Sequence, residues 1–241
     1  MTMGETTLDS VGGLSILQPD KGYRFSMEPV LLSAFVSLKA PKRIADFGAG
    51  SGVMGLLLAR RFPRARVSLV EMQEELYGLC VSNIEGNALG GRVEALLLDI
   101  RDMRSELTGL DIVVSNPPFR KPGTGRISHR GQGQCASARH EKELPLGDLC
   151  MSAARALRGR GRFCLVYHPE RLVELMDSLR DARLEPKRLR FVHGRPGLEA
   201  RIVLMEAVRD GKPGMKVEPP LFVYHSGSDE YTDEVSAMYE A

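Results

Sequence analysis

The chain has 241 residues, enough for one large domain or a domain with small extensions, and is 43% hydrophobic and 27% charged. This excludes a disordered, collagenous or low-complexity chain. With 33 basic against 31 acidic residues the formal charge is +2, so any basic footprint for nucleic acid has to be local. In chain order, Leu14–Pro19 reads as a short strand. Residues 28–38 are apolar at helical spacing, with Pro29 in the first turn. Arg43–Phe47 is a strand that ends in the run Gly48-Ala49-Gly50-Ser51-Gly52, and Val53–Arg61 is a helix stopped by Pro63. Arg66–Glu71 is a second strand, 73–83 a helix, 93–98 a third strand, and Leu110–Ser115 a fourth. Residues 117–142 form a long Gly-, Arg- and Ser-containing loop, a length usually tied to function. A helix over 146–157, a strand over 162–167 and a helix over 170–182 follow. Two strands, 187–192 and 201–208, are joined through Gly194-Arg195-Pro196-Gly197 without a helix and are expected to pair antiparallel. The turn 211–214 leads to a strand over 220–224 and a final short helix. Strand-helix alternation predicts an α/β, doubly wound, mostly parallel seven-stranded sheet with helices on both faces and the last strand antiparallel. Ligands in such sheets sit at the carboxyl ends of the strands.

The loop after the first strand runs Asp46-Phe47-Gly48-Ala49-Gly50-Ser51-Gly52 and opens a helix. Glycine permits the tight turn and close backbone approach to a ligand, and amides at the helix start point toward it. Glu71 ends the second strand, where a carboxylate can accept from both ribose hydroxyls of an adenosine. Gly50-x-Gly52-x-x-Gly55 also matches the dinucleotide fingerprint, but Asp46 opens the loop in a register that would repel a pyrophosphate. An acid there suits a ligand with an amino group and no phosphate, such as S-adenosylmethionine, and otherwise caps the turn.

The fourth strand runs into Asn116-Pro117-Pro118-Phe119. Two prolines stiffen the turn and leave carbonyl oxygens without competing donors. The Asn116 amide oxygen and the Pro117 carbonyl can hold the two hydrogens of a planar amine, and Phe119 can stack on a flat substrate. Positioning, rather than an acid or base, carries such a transfer. Together, Asp-x-Gly-x-Gly-x-Gly, the acid after strand two and Asn-Pro-Pro-Phe resemble class I amino-group methyltransferases. Tyr23-Arg-Phe-Ser-Met-Glu-Pro-Val-Leu-Leu upstream, Arg139-His-Glu141 downstream and the Val217-Glu-Pro-Pro-Leu tail resemble the bacterial tRNA1(Val) adenine-N6-methyltransferase family over nearly the whole chain. Phe119 stands where Tyr is commoner, which keeps stacking and loses a hydroxyl. Glu28 stands where Asp is expected. The resemblance implies one class I methyltransferase domain over 1–241: a cap over 1–40, a substrate loop over 120–142 and a carboxyl-terminal extension over 211–241. It implies S-adenosylmethionine as cofactor and methylation of the N6 amine of the adenine beside the anticodon of a valine tRNA. Tyr23, Arg24 and Ser26 would cover the methionine end, Asp99 would bond the adenine amine, and Ile100 and Met72 would pack on its ring.

Beside the expected active site, Arg120, Lys121, Arg126, Arg130, Arg139, His140 and Lys142 could contact RNA phosphates or remain solvated charges. A second cluster, Lys187, Arg188, Arg190, His193, Arg195 and Arg201, lies on the expected hairpin. No second ligand lies at suitable spacing from His140, so no metal is expected. Cys80, Cys135, Cys150 and Cys164 have no CxxC pairing and read as packed thiols. The amino terminus carries no secretion pattern and no apolar run is long enough for a membrane helix, so the expected compartment is the cytoplasm, with tRNA as partner and no obligate protein partner. The same four-residue signature leaves open an N5-glutamine protein methyltransferase or another RNA base-amine methyltransferase. A non-catalytic RNA-binding module and a nicotinamide oxidoreductase are the more distant alternatives.

Overall fold

A computed structural model describes residues 6–20, 24–103, 107–117 and 144–240. Its centre is a mixed sheet in the spatial order β10-β8-β9-β7-β6-β3-β4-β5, with β11 paired to β8. The strands are β3 (Arg43–Phe47), β4 (Arg66–Glu71), β5 (Val93–Leu97), β6 (Leu110–Ser115), β7 (Leu157–Tyr167), β8 (Leu184–His193) and β9 (Ala200–Arg209), with the two-residue strands β10 (Lys216–Val217) and β11 (Leu221–Phe222). β3 to β7 run parallel, and β9 lies antiparallel between β7 and β8, as the missing crossover helix requires. The two short strands extend the sheet beyond the expected seven. A separate hairpin, β1 (Thr6–Val11) with β2 (Leu14–Pro19), turns through Gly12 and Gly13 at φ +53 and +67. That Gly-Gly turn is the legible signal for β1, which the apolar pattern alone did not mark.

Helices cover both faces. On one, α1 (Glu28–Phe35), α2 (Val53–Arg61), α3 (Glu74–Gly86) and α6 (Asp233–Glu240) pack with the hairpin around Leu31, Leu56, Leu58, Ile44 and Leu69. On the other, α4 (Leu146–Ala156) and α5 (Leu172–Asp181) pack around Phe47, Phe163, Leu149 and Leu179. Central strands therefore read as continuous apolar runs, because both faces are covered.

Two boundaries differ from the sequence reading. α1 stops at Phe35 rather than 38 because the chain turns extended at Val36, and the freed carbonyls of Ser33 and Ala34 accept from the Arg61 guanidinium. β7 begins at Leu157, directly after α4, five residues before the expected start. A register shift against β6 absorbs the Arg158-Gly-Arg-Gly segment, with Arg160 at φ +64, and Arg158 pairs with Asp111 at 2.5 Å.

Glu206 on β9 is 1% exposed. It accepts from Arg162 at 2.7 Å, Arg188 at 3.0 Å and the Ser37 hydroxyl at 2.8 Å. Arg188 also stacks over Phe35 at 4.3 Å and pairs with Glu218 at 2.9 Å, joining α1, β8 and the segment beyond β9. A buried charge answered by two cations is costly to break from one side. Glu206→Ala is expected to cost about 3 kcal/mol of unfolding free energy, read as a lower urea midpoint at unchanged slope.

Candidate functional site

The glycine turn sits between the ends of β3 and β4. Gly48, Gly50 and Gly52 have φ of +71, +60 and +86, a conformation that side chains resist. The Gly48 and Ala49 amides donate to the Val70 carbonyl at 2.9 and 3.0 Å, which pins the turn to β4. Gly55, one turn into α2, fills a different need. A Cβ there would lie 2.0 Å from Leu69 Cδ2, so only glycine lets α2 pack on β4.

Two buried carboxylates organise this turn. Glu71 is 4% exposed; one oxygen accepts from the Gly50 amide at 2.9 Å, the other from the Met72 and Gln73 amides at 2.9 and 3.0 Å. The acid expected to meet a ribose is thus also the clasp that holds the loop. Asp46 is fully buried. Its Oδ2 accepts from the Gly55 amide at 2.9 Å, and its Oδ1 has no hydrogen-bond partner among the described residues. Burial raises the Asp46 pKa to about 7, the Gly55 bond opposes this, and the nearby Glu71 charge adds to it.

α3 braces the turn from behind. The Cys80 thiol donates to the Gly50 carbonyl at 3.1 Å, and Asn83 Nδ2 donates to the Ser51 carbonyl at 2.8 Å. Neither residue carried a signal in the sequence, because the contacts join an ordinary helix to a loop 30 or more residues away. Burial pushes the Cys80 thiol pKa well up, so it packs as a neutral donor. Cys150 and Cys164 are also buried and free, while Cys135 lies outside the described residues.

A small cleft is lined by Phe25, Pro29, Asp46, Gly48, Ala49 and Ser51, together with Val53, Met54 and Asn116. Three buried polar atoms have no partner among the described residues: Asp46 Oδ1, Ser51 Oγ and Asn116 Oδ1. All three belong to residues lining this one cleft. The structure therefore brings Asn116 to the glycine turn, as the sequence reading requires. Buried polar atoms are ordinarily paired, so three unpaired ones around one cleft mark where a polar ligand is received. A carboxylate and a hydroxyl suit the cationic amino end that S-adenosylmethionine presents, and the Asn116 amide oxygen is left to accept from a second, amine-bearing group.

Other expected residues lie differently. Arg24 does not face the cleft: its guanidinium pairs with Asp9 at 2.8 Å and donates to Thr7 Oγ1 at 2.6 Å, drawn there by the hairpin's acid. The Ser26 hydroxyl donates to Glu28, whose pKa burial raises. Asp99 pairs with Arg101 at 2.5 Å, and the bonds from that guanidinium hold its pKa below the ordinary carboxylate range. Ile100 is buried in the second core cluster, and Met72 is 43% exposed beyond β4. Tyr23, Pro118, Phe119 and the loop bearing Arg120, Lys121, Arg126, Arg130, Arg139 and His140 lie outside the described residues.

The second basic cluster is largely spent inside the chain. Lys187 donates to the Lys212 and Gly214 carbonyls, Arg188 holds Glu206 and Glu218, and Arg190 pairs with Glu234 at 2.7 Å. Arg195 pairs with Asp229 and lies over Tyr224, and His193 Nδ1 lies 2.7 Å from the Leu198 carbonyl. These cations clamp the segment beyond β9 to β8. Among the described residues no cluster of His, Cys, Asp and Glu is arranged to hold a metal, and no helix is long and apolar enough to cross a membrane.

Residues 18–176 match the Methyltransferase small domain family. A tRNA1(Val) (adenine(37)-N6)-methyltransferase of Porphyromonas gingivalis is 32% identical over 209 residues, covering 83% of this chain and 80% of that one. Among solved structures, a predicted O-methyltransferase from Agrobacterium tumefaciens superposes with a TM-score of 0.71 at 22% identity, covering 88% of this chain and 95% of that one. The T. thermophilus 16S rRNA N2 G1207 methyltransferase, in complex with AdoMet and guanosine, gives a TM-score of 0.59 at 21% identity over 87% of this chain and 51% of that one. These neighbours are methyltransferases of the same α/β architecture.

The raised Asp46 pKa has a measurable consequence. In the free protein this carboxyl holds its proton more tightly than in the unfolded chain. Its charge therefore costs stability as pH rises from the ordinary carboxylate range through about 7, and costs nothing further above that. Asp46→Asn keeps an acceptor for Gly55 and removes that cost. Its stability relative to wild type should grow between about pH 5 and about pH 8, measured by denaturant titration without ligand.

Proposed function

The chain belongs to the Methyltransferase small domain family and, within it, to the tRNA1(Val) (adenine(37)-N6)-methyltransferases, and from that premise we propose that it methylates the N6 amine of an adenine in tRNA with S-adenosylmethionine as donor. The valine tRNA adenine beside the anticodon is the acceptor that the relatives' name gives. The observation that carries this reading is the single cleft shared by the glycine turn and Asn116, with its three unanswered polar atoms. When bound, S-adenosylmethionine supplies a sulfonium methyl carbon open to attack by nitrogen.

What remains falls on this chain's residues. Asp46 Oδ1 and Ser51 Oγ receive the cationic amino end, which restores the carboxylate charge that burial disfavours. Glu71 and the glycine turn hold the nucleoside end, with Met72, Asp99 and Ile100 around the adenine. Asn116 Oδ1 and the Pro117 carbonyl accept the two hydrogens of the substrate amine and aim its lone pair at the donor; the nitrogen takes the methyl as the bond to sulfur breaks, and its extra proton passes to water. An adenine N6 amine is a weak nucleophile with its lone pair drawn into the ring. Two fixed acceptors counter that withdrawal and convert an encounter into a positioned attack, where effective molarity supplies most of the rate. Tyr23 and Ser26 close the donor side, while Pro118 and Phe119 provide the stiff turn and the stacking surface. Arg120, Lys121, Arg126, Arg130, Arg139 and His140 neutralise RNA phosphates in this reading, which makes binding fall steeply with salt. The cytoplasm, where tRNA is processed, is the proposed compartment.

Asn116→Ala should lower methyl transfer by about 10³-fold or more while the Kd for S-adenosylmethionine stays within about threefold of wild type, since the lost group touches the acceptor amine. Calorimetry and single-turnover transfer measure the two. Nucleoside mass spectrometry of tRNA incubated with enzyme and labelled donor should show labelled N6-methyladenosine. Label recovered in protein glutamine instead of tRNA would overturn the assignment.

A further inference from the structure

We propose that the amino-terminal hairpin fixes two segments that line the cofactor cleft, at Ser51 and at Phe25, and that Asn83 and Gln18 are the positioning residues through which it acts. The inference rests on reading the cleft as the S-adenosylmethionine site; it does not depend on which acceptor is methylated.

Asn83 on α3 is 2% exposed, and its side chain does three things at once. Its Oδ1 accepts from the Leu17 amide at 2.7 Å, and its Nδ2 donates to the Leu17 carbonyl at 2.9 Å and to the Ser51 carbonyl at 2.8 Å. One turn later Asn87 repeats the first two bonds with Ser15, at 2.9 and 2.7 Å. Four helical residues advance about 6 Å and two strand residues about 7 Å, so the pair presents amides to β2 as a neighbouring strand would. Only Asn83 reaches on to the glycine turn. It fixes the Ser51 carbonyl, and with it the backbone of a lining residue whose hydroxyl is unpartnered among the described residues.

The next residue of β2 serves a second lining segment. Gln18, also 2% exposed, accepts the Phe25 amide at 3.1 Å and donates to Asp9 on β1. Asp9 in turn holds Arg24. Phe25 and Ser51 both line the cleft. The backbone of Leu17 and the side chain of Gln18 thus anchor two lining segments through one strand. If the hairpin undocks, both segments lose their reference, and the loss falls on donor binding rather than on the transfer step.

The experiment compares Asn83 on α3 with Asn87, the residue that follows α3; both bond to β2. Asn83→Ala should raise the Kd for S-adenosylmethionine by about tenfold in calorimetry, with kcat at saturating donor and KM for tRNA unchanged. Asn87→Ala removes the matching bonds to β2 and a bond to the Asn83 carbonyl at 2.8 Å, but none to the glycine turn, so it should lower the melting temperature by at least as much and leave the Kd within about twofold. Gln18→Met keeps volume, deletes the Phe25 acceptor and should raise the Kd by about fivefold. Equal Kd values for the two asparagine variants, or a wild-type Kd for Asn83→Ala, would overturn the proposal. Should Asn83→Ala fail to fold, Gln18→Met decides by the same measurement, and a wild-type Kd there is fatal. A wild-type protein that binds the donor and methylates no tRNA would sink the acceptor assignment alone. One that binds no donor would sink this inference as well.

Discussion

The structure depends on two carboxylates placed where water cannot reach them. At the ends of adjacent parallel strands, Asp46 and Glu71 each face a glycine-rich turn. A buried carboxylate has to be answered by donors, and the donors within reach are backbone amides of that turn. Glu71 collects three, from Gly50, Met72 and Gln73, and so welds the turn to the end of β4. Asp46 collects one, from Gly55, and keeps an oxygen unanswered. The first arrangement is complete and gives rigidity. The second is incomplete and gives a site.

That asymmetry explains the rest of the scaffold. A turn with three glycines at positive φ has little stiffness of its own, and its shape has to be imposed from outside. β4 holds its amides, α3 holds its carbonyls through Cys80 and Asn83, and α2 can approach only because Gly55 has no side chain. Stability concentrated in this frame leaves the polar atoms of the cleft preorganised, so little is spent on ordering them when a ligand arrives.

The cations show the same division of labour. The folded chain uses many of its arginines as internal fasteners. Arg61 caps α1, Arg162 and Arg188 neutralise Glu206, and Arg190 and Arg195 bind the segment beyond β9. A basic run in the sequence is therefore ambiguous until its partners are known. On β8 the carbonyls and carboxylates of the carboxyl-terminal segment bond Lys187, Arg188 and Arg190. A near-neutral chain that binds RNA then has to concentrate its free cations elsewhere.

The sequence by itself determined the parallel core and marked the residues at its strand ends. β3, α2, β4 and β6 fall where their apolar runs and flanking glycine and proline place them, because in a doubly wound sheet burial on both faces writes itself as contiguous hydrophobic residues. Asp46, the glycine turn, Glu71 and Asn116-Pro117 were legible for a similar reason: each is a local departure from what a buried strand end tolerates. Tertiary structure alone decided the end of α1, the early start of β7, the turn of Arg24 toward Asp9 and the bridging roles of Asn83, Gln18 and Glu206. Those outcomes rest on hydrogen bonds and ion pairs whose partners can lie dozens of residues away, 169 for Ser37 and Glu206. Pattern along a chain reports burial and backbone preference, which are local. It does not report which distant carbonyl or carboxylate a polar side chain will meet, since that is fixed only when the layers close on one another.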